Sequence, residues 1–428
     1  MKKKLLSLSL CVAMAIMALT ACGKSTEVAE EFNTTTESKQ DKEDLDKGKI
    51  KVNDNFKTNE EYEIPSEYSV QNITNILDYL QTDPTSNVVV SETSLNMALS
   101  LLLEGTDEDT EAYNALVNYL RNSNYSGDVE DIRIKNNAIM SQYLANEDIR
   151  LHLANSVWSD AGFNIKPEYQ EIITSYYNGQ AQTLDFMDPS SVDIINNWVA
   201  ENTNNKINSI VDQSILSKND NILVNALYFL GDWLEPFEDS ACKTENFTNA
   251  DGTVSEVTMM HKYGLSNYFE SDYAEGFMLP YNDPNIVFVG ILPKEEGNFS
   301  VSELNIDDLL SNESNKYSVH IALPQFKLET TNSLYEVLNE NGLAPVFSTS
   351  SFNKLSDSDM IISDVIQKTY IDVNAQGTEA AAVTAVISKT TSIEEKEIKE
   401  IILNRPFVFM IYDRENHEVL FIGKINQL

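Results

Sequence analysis

The stretch that most constrains the fold is residues 372–393, a run of small residues behind a glycine. Gly377 can act as a backbone pivot because it lacks a Cβ. If the residues that follow form a strand, side chains alternate between two faces. One face is small and uncharged and holds Thr378, Ala380, Ala382, Thr384, Val386 and Ser388. The other face carries the charges of Glu379 and Lys389, so a sheet could bury the first face and leave the second in water.

The alanine content of this stretch is unusual for a settled strand. Alanine is depleted in strands, and the three in succession at 380–382 offer little cross-strand contact. On composition alone the stretch is also compatible with a flexible surface loop or a short helix. A segment that can be either an exposed loop or an inserted strand indicates a switch.

Residues 374–386 resemble the hinge of the reactive loop of serpins, which has Gly-Thr-Glu followed by several alanines and a threonine. The resemblance assigns the hinge to Gly377, Thr378, Glu379, Ala380, Ala381, Ala382, Val383 and Thr384. Further stretches resemble the same family in the same order along the chain. They are residues 87–110, 153–158, 176–186, 195–207, 222–237, 405–413 and 419–425.

The resemblance also names residues beneath the point where the main sheet of a serpin opens. They are Ser91, Ser94, Asn225, Gln367 and Trp233. Three positions depart from the usual family pattern. Glu92 replaces a proline, which we treat as a small departure, and Gln367 replaces a histidine that hydrogen-bonds near Asn225. Ala375 replaces an acidic residue, so the salt bridge at the top of the sheet is expected to be absent.

The fold implied by the resemblance is an α+β serpin fold. It has a multi-sheet β core, a helical cluster and an exposed reactive-centre loop at about residues 375–400. Its local elements agree with periodicity in the sequence. Apolar residues at spacings of three and four predict a helix over 68–80. Residues 321–347 read as strand, turn and helix, with Asn341-Gly342 as the helix end. Residues 405–413 and 419–425 read as a β-hairpin.

The function implied by the resemblance is inhibition of serine proteases by a suicide-substrate mechanism, and not catalysis. A protease would attack the exposed loop and form an acyl-enzyme. The cut segment from Gly377 onward would then enter the main sheet as a new central strand. The alternative is a non-inhibitory relative, a binding or carrier protein anchored at the surface. Such relatives tend to carry charged or bulky residues on the inward face of the hinge, and this chain does not.

The bait residue depends on the register of the loop. Counting about fourteen residues from the hinge glycine, as is usual in the family, places the cut at Thr391–Ser392. A small β-branched bait suits a shallow pocket, so elastase-like or subtilisin-like targets are favoured. Lys389 is the alternative bait and would indicate a trypsin-like target.

Composition limits the partners. The chain has 428 residues and a formal net charge of -37, which repels phosphate backbones and argues against nucleic-acid binding. Residues 113–128, placed where some serpins bind heparin, offer only Arg121, so heparin activation is not expected. A monomer is expected. No GxSxG, GxGxxG or GxxxxGK[ST] pattern indicates an enzyme or a cofactor site.

The N-terminus has the pattern of an export signal. Three lysines precede an apolar run over 5–21, and the run ends Leu-Thr-Ala before Cys22. This ending resembles the lipobox of bacterial lipoproteins. It implies a signal peptide over 1–21, lipidation of Cys22, a flexible polar tether over 22–62 and a serpin domain over 63–428. The inhibitor domain would then lie outside the cytoplasm, held to a membrane of the cell envelope by the lipid.

Cysteine and histidine usage indicates neither a disulfide nor a metal site. Removal of Cys11 with the signal peptide and lipidation of Cys22 leave Cys242 alone, so no intramolecular disulfide is expected. The histidines show no HExxH pattern and have no paired cysteines nearby, so each is expected to be structural or superficial. They are His152, His261, His320 and His417.

Overall fold

Three β-sheets organise the residues that the computed structural model describes. These residues are 50–59, 62, 69–123, 125–265, 267–348, 350–378 and 397–428. They belong to a compact unit that spans Asp46–Leu428. Among the described residues, no helix is both long enough and apolar enough to cross a bilayer. The mixture of sheets and helices confirms the predicted α+β class.

The main sheet is six-stranded and has the order β11-β12-β13-β4-β2-β3. Its strands are β2 (Ile149–Asp160), β3 (Gln180–Leu184), β4 (Asn221–Asp232), β11 (Phe326–Ser333), β12 (Asp364–Val373) and β13 (Gly377–Thr378). The central strands β4 and β12 run parallel, and the two-residue β13 is antiparallel to both. This central region contains the candidate functional site.

The second sheet is six-stranded, in the order β1-β16-β15-β9-β8-β7, and the third is four-stranded, in the order β14-β10-β6-β5. The second sheet comprises β1 (Val88–Val90), β7 (Tyr268–Glu270), β8 (Ala274–Pro280), β9 (Ile286–Pro293), β15 (Phe407–Asp413) and β16 (Glu418–Ile425). The third comprises β5 (Cys242–Thr248), β6 (Val254–Leu265), β10 (Ser318–Pro324) and β14 (Ile398–Ile402). The predicted hairpin is present as β15 and β16, which pair antiparallel and are buried along their whole length.

The helices pack on both faces of the main sheet. They are α1 (Gln71–Leu80), α2 (Glu92–Gly105), α3 (Glu111–Asn122), α4 (Val129–Ala145), α5 (Pro167–Tyr177), α6 (Ser190–Asn202), α7 (Gln213–Leu216), α8 (Ile306–Ser311), α9 (Tyr335–Leu338) and α10 (Ala344–Ser348). Every residue of α2 is buried, as expected for a helix that is apolar around most of its circumference. Helix α6 covers the opposite face of the sheet, where Ile195 and Val199 join an apolar cluster with Val224 of β4 and Ile366 of β12.

The helical segment that begins with α9 continues past the predicted stop as a second helix, α10. Gly342 has φ +92°, the left-handed conformation typical of a residue just after a helix. The chain nevertheless enters α10 two residues later, across an irregular turn at Asn339–Leu343. The prediction that the helix ends at Asn341-Gly342 therefore identified a kink between two short helices. Burial of Val346 and Phe347 provides the reason for the second helix.

Part of the predicted tether lies against the folded body. The backbone N–H of Lys57 donates to the carbonyl of Ser175 on α5 at 2.8 Å. Asn137 of α4 donates from Nδ2 to the carbonyl of Lys57 at 2.7 Å. The Tyr62 hydroxyl donates to Oδ1 of Asn416 at 2.7 Å. For residues 50–59 and 62 the expectation of a flexible tether is therefore wrong, because buried polar groups of the body supply hydrogen-bond partners that composition alone does not reveal.

Candidate functional site

The site begins where the two central strands of the main sheet separate. Residues 364–370 of β12 pair in parallel with residues 222–228 of β4. Beyond Tyr370 the two strands diverge, and β13 lies between them. Gly377 pairs with Asp232, and Thr378 pairs with both Gly231 and Val373. A strand that runs antiparallel to both neighbours therefore already occupies the open end of the gap.

The hinge residues Gly377 and Thr378 are tightly held in this position. A Cβ on Gly377 would overlap the carbonyl oxygen of Gly231 and lie 2.7 Å from Cα of Asp232, so the close approach of the strands requires glycine. Thr378 is fully buried, and its Oγ1 lies 2.7 Å from the hydroxyl of Tyr281. The sequence predicted that the segment from Gly377 onward enters the main sheet only after the loop is cleaved. For these two residues that expectation is wrong, because they are paired in the sheet while the chain is intact.

Hydrogen bonds from Trp233 and Phe237 to the backbone carbonyls of residues 374–376, which we call the hinge clamp, hold the three residues before the hinge. Trp233 donates from Nε1 to the carbonyl of Asn374 and from its backbone N–H to the carbonyl of Gln376, both at 2.9 Å. The backbone N–H of Phe237 donates to the carbonyl of Ala375 at 2.8 Å. Tyr281 stacks on Trp233 with ring centroids 4.6 Å apart. The acidic side chain that Ala375 lacks is thus replaced here by main-chain hydrogen bonds.

Four of the predicted sheet-opening residues meet around the paired part of β4 and β12. Gln367 of β12 accepts from the backbone N–H of Ser91 at 2.9 Å. Its Nε2 donates to Oδ1 of Asn225 at 2.7 Å and to the carbonyl of Ser91 at 3.0 Å. Asn225 of β4 donates from Nδ2 to the carbonyl of Ser94 at 3.0 Å and also contacts the Ser94 hydroxyl. These hydrogen bonds tie both central strands to the start of α2.

Trp233 does not belong to this group. It lies just beyond β4, eight residues after Asn225, which corresponds to about 26 Å along a strand at 3.3 Å per residue. The structure therefore divides the predicted region into a hinge clamp containing Trp233 and a polar cluster containing Asn225. We missed Asn155 of β2, whose Oδ1 contacts Asn225. We also missed Tyr281 and Phe237, because only the fold brings them to the hinge.

Glu92 is more than a small departure from the family pattern. Its side chain is buried at the start of α2, and Oε1 has no hydrogen-bond donor among the described residues. The pKa of Glu92 is raised to about 8, chiefly by burial and also by the negative charge of Glu418, whereas Lys135 acts in the opposite direction. The carboxyl group is therefore mostly neutral at neutral pH. It lies next to Ser91, which contacts both Gln367 and, through its hydroxyl, the backbone N–H of Ser94.

The remaining predicted residues of the loop lie outside the described part of the chain. They are Glu379, Ala380, Ala381, Ala382, Val383, Thr384, Lys389, Thr391 and Ser392, and Cys22 is likewise outside it. Within the described ranges, no group of three or more His, Cys, Asp or Glu side chains is arranged to hold a metal ion. His152 stacks on Tyr228, and His417 contacts the hydroxyl of Tyr412.

Comparison with known proteins gives one consistent family. The profile described as Serpin (serine protease inhibitor) matches residues 73–428. A serpin-like protein of Methanosarcina mazei is 31% identical over 356 residues, covering 80% of this chain and 82% of the relative. Iripin-5 of the tick Ixodes ricinus is 29% identical and covers 82% of this chain and 92% of its own length. Among solved structures, native tengpin, a thermophilic serpin, matches with a TM-score of 0.73 and 30% identity, covering 88% of this chain and 99% of tengpin.

Replacing Glu92 by glutamine should change how stability depends on pH. The pKa of this acid is raised on folding, so its contribution to stability is fully present below about pH 4.5 and is lost as pH rises to about 8. A shift of this size corresponds to a few kcal/mol, at ~1.4 kcal/mol per pH unit. Between pH 5 and pH 8.5, the free energy of unfolding measured in urea should fall by on the order of 3 kcal/mol more in the parent than in Glu92→Gln.

The control for this prediction is Glu171→Gln, which removes an exposed carboxylate from α5. This variant should keep the pH dependence of the parent. If Glu92→Gln also retains the parent's full pH dependence, Glu92 does not hold a proton in the folded protein.

Proposed function

Because this chain belongs to the serpin family, we propose that it inhibits serine proteases as a suicide substrate. The protease serine attacks the carbonyl of the bait residue, the peptide bond to the next residue breaks, and an ester to the serine forms. The serine proton passes through the protease histidine to the leaving amine. The severed segment, still carrying the protease, then continues into the main sheet behind Thr378.

The observation that supports this proposal best is the position of Thr378. It is buried between β12 and β4, antiparallel to both. If the strand continues, side chains alternate, so Ala380, Ala382 and Thr384 share the inward face with Thr378. Each of these side chains is small and uncharged. Entry therefore requires no burial of charge, and Glu379 remains on the outward face.

The free energy for insertion comes from exchanging one strand pairing for two. Entry of the loop separates seven parallel residue pairs between β12 and β4. It replaces them by two antiparallel ladders, which are slightly more stable per residue than parallel ones. The net gain is on the order of a dozen hydrogen bonds at ~1 kcal/mol each. That gain is comparable to the ~5–15 kcal/mol that stabilises a typical domain.

The trapped protease is inactivated by loss of geometry. A displacement of about 1 Å in a catalytic group can cost roughly 10²-fold in rate. Loss of one oxyanion-hole donor costs a further ~10²–10³-fold. Because the acyl-enzyme is pulled with the loop, hydrolysis of the ester becomes slow enough for the complex to persist.

For the bait we propose Thr391–Ser392, with Lys389 as the alternative. The support is the spacing from Gly377, whose pairing with Asp232 fixes the start of the inserted strand. A threonine bait favours an elastase-like or subtilisin-like protease, and a lysine bait favours a trypsin-like one.

We propose further that the protein is exported and held to a membrane by lipidated Cys22. The support is the sequence at the N-terminus, a basic leader followed by an apolar run that ends at Cys22. Acyl chains contribute about 0.8 kcal/mol per buried CH₂, and two or more chains give stable anchoring. The inhibitory domain would then act at the cell surface.

Ala382→Arg should convert the inhibitor into a substrate. Under the proposed mechanism residue 382 is buried only when the cut loop enters the main sheet, and burying an unpaired charge costs several kcal/mol. Insertion should therefore become slower than deacylation. In gels run under denaturing conditions, the covalent complex should fall at least about tenfold while cleaved inhibitor accumulates.

The matched control is Glu379→Arg, which places the same charge on the outward face of the pattern and should form complex like the parent. Equal complex formation by both arginine variants would rule out the insertion mechanism. Absence of complex from the parent, with no gain in stability after cleavage, would instead favour a binding or carrier protein.

The bait residue can be identified from the mass of the C-terminal peptide that the protease releases. Incubation with elastase, subtilisin and trypsin, followed by mass measurement of the C-terminal fragment, should give a fragment beginning at Ser392 for the proteases that form complex. A fragment beginning at Thr390, released only by trypsin, would show that Lys389 is the bait. Thr391→Arg should move inhibition toward trypsin if Thr391 is the bait.

Cys22→Ser should release the protein from membranes. When the full chain is expressed in a bacterium, the parent should sediment with membranes and Cys22→Ser should remain soluble, because the lipid has no attachment point. Cys242→Ser serves as the control and should sediment like the parent. Membrane association of Cys22→Ser would contradict lipid anchoring at this residue.

A further inference from the structure

Four titratable side chains form a continuous row across the third sheet, one from each strand. The Nε2 atom of His261 on β6 lies 2.9 Å from Oε1 of Glu245 on β5. The Nδ1 atom of His261 lies 3.0 Å from Nε2 of His320 on β10. The Nδ1 atom of His320 lies 3.1 Å from Oε1 of Glu400 on β14. The two histidines are largely buried, with side chains 8% and 13% exposed.

The number of protons in this row can be counted from its contacts. Each glutamate oxygen accepts, so the outer nitrogens, Nε2 of His261 and Nδ1 of His320, must both carry a proton. With both rings neutral, each ring has only that one proton, and the two inner nitrogens would present lone pairs to each other at 3.0 Å. One additional proton between the rings satisfies all three contacts. A second additional proton would place two N–H groups face to face.

The geometry of the rings favours a proton over a metal ion between them. The rings are nearly parallel, at 24°, and their centroids are 5.3 Å apart. The distance between the centroids equals the N···N distance plus about two ring radii. The two inner nitrogens therefore lie almost on the line that joins the ring centres, and their lone pairs point at each other. Two nitrogen ligands of a tetrahedral metal would instead converge on one point about 2 Å from each nitrogen.

Few other charges face this pair in the described part of the sheet. On β6 the ring of Tyr263 stacks on His320, with centroids 4.1 Å apart. The neighbouring lysines are engaged elsewhere: Lys262 contacts the backbone carbonyl of Glu235, and Lys399 of β14 forms an ion pair with Glu270 at 3.9 Å. Among the described residues, the charged groups in direct contact with the pair are the two glutamates of the row.

We propose that His261 and His320 form a proton-binding site that fastens β14 to the third sheet. Strand β14 pairs with β10 and lies at the edge of this sheet. Glu400 is the β14 side chain that joins the row. The shared proton gives the histidine pair a positive charge, which strengthens the contact of His320 with Glu400 on β14. Loss of that proton at higher pH leaves a weaker, neutral contact and loosens β14.

This fastening matters because of the place of β14 in the chain. The loop begins after Thr378 in the main sheet and ends just before β14. An uncut loop is attached at both ends, so it can enter the main sheet fully only if β14 leaves the third sheet. If the protein acts as proposed, the proton site protects the uncut inhibitor from inserting its own loop, and this role rests on the proposed function. The proton site itself can be tested without any protease.

Nitrogen-15 NMR of the full chain tests the proton count directly. With EDTA present, the parent should show a pH interval in which three of the four ring nitrogens of His261 and His320 carry a proton. Independent titration of the two rings, with no shared proton at any pH, would overturn the proposal. So would a bell-shaped response that requires added Zn²⁺ and disappears with EDTA.

Hydrogen exchange of residues 398–402 tests the mechanical consequence. Protection factors of these amides should be highest while the shared proton is present and fall about fivefold or more as the pH rises and it is lost, as expected when a charge-assisted hydrogen bond becomes a neutral one. His320→Gln, which binds no extra proton, should give low protection that does not vary with pH. Glu400→Gln, which removes the charge that the protonated pair contacts, should also give low protection.

The matched control is Glu397→Gln, because Glu397 has nearly the same exposure as Glu400 and contacts Lys399 rather than the histidines. Its protection factors should stay within about twofold of the parent. Equal effects of Glu397→Gln and Glu400→Gln would mean that the row does not hold the strand. Because these readouts need no protease, their failure would leave the proposed inhibition untouched, and failure of inhibition would leave them valid.

Discussion

The parallel pairing of β4 with β12 is the interaction on which the rest of the structure depends. These neighbours are distant in sequence, and their pairing ends where β13 begins. A parallel pair of central strands can be separated and refilled by a strand antiparallel to both. Under the proposed mechanism the intact chain is therefore a folded state with a more stable alternative, and its conversion to that alternative supplies the free energy that distorts the protease. The polar cluster of Gln367 and Asn225 lies across this pairing and ties it to α2.

Sequence patterns predicted the local elements well because the physics there is local. Alternation predicted the buried face at Thr378, and apolar spacing predicted the helix over 68–80, which the structure shows as α1 over 71–80. Contacts between distant segments could not be read in the same way. Tyr281 reaches Thr378 across 97 positions, and Asn155 reaches Asn225 across 70. Neither spacing leaves a periodic signal, so both partners of the site were missed.

Glu92 shows a different limit of sequence reasoning. A glutamate at the first turn of a helix normally faces water and favours the helix dipole. Here tertiary packing buries it beside Glu418 and raises its pKa to about 8. The tether prediction failed at residues 50–59 for a related reason. Their polar composition predicts disorder, yet Lys57 accepts a hydrogen bond from Asn137 and donates one to the carbonyl of Ser175. In both cases the fold supplies an environment that composition does not contain.

The most direct test of the stored-energy account is thermal unfolding of the intact chain and of the chain cut once within residues 379–396. If the severed segment completes the main sheet between β4 and β12, about a dozen added hydrogen bonds should raise the unfolding midpoint by on the order of 20 °C. The inserted segment should also become resistant to further proteolysis. An unchanged midpoint, with the severed segment still open to proteolysis, would contradict the account.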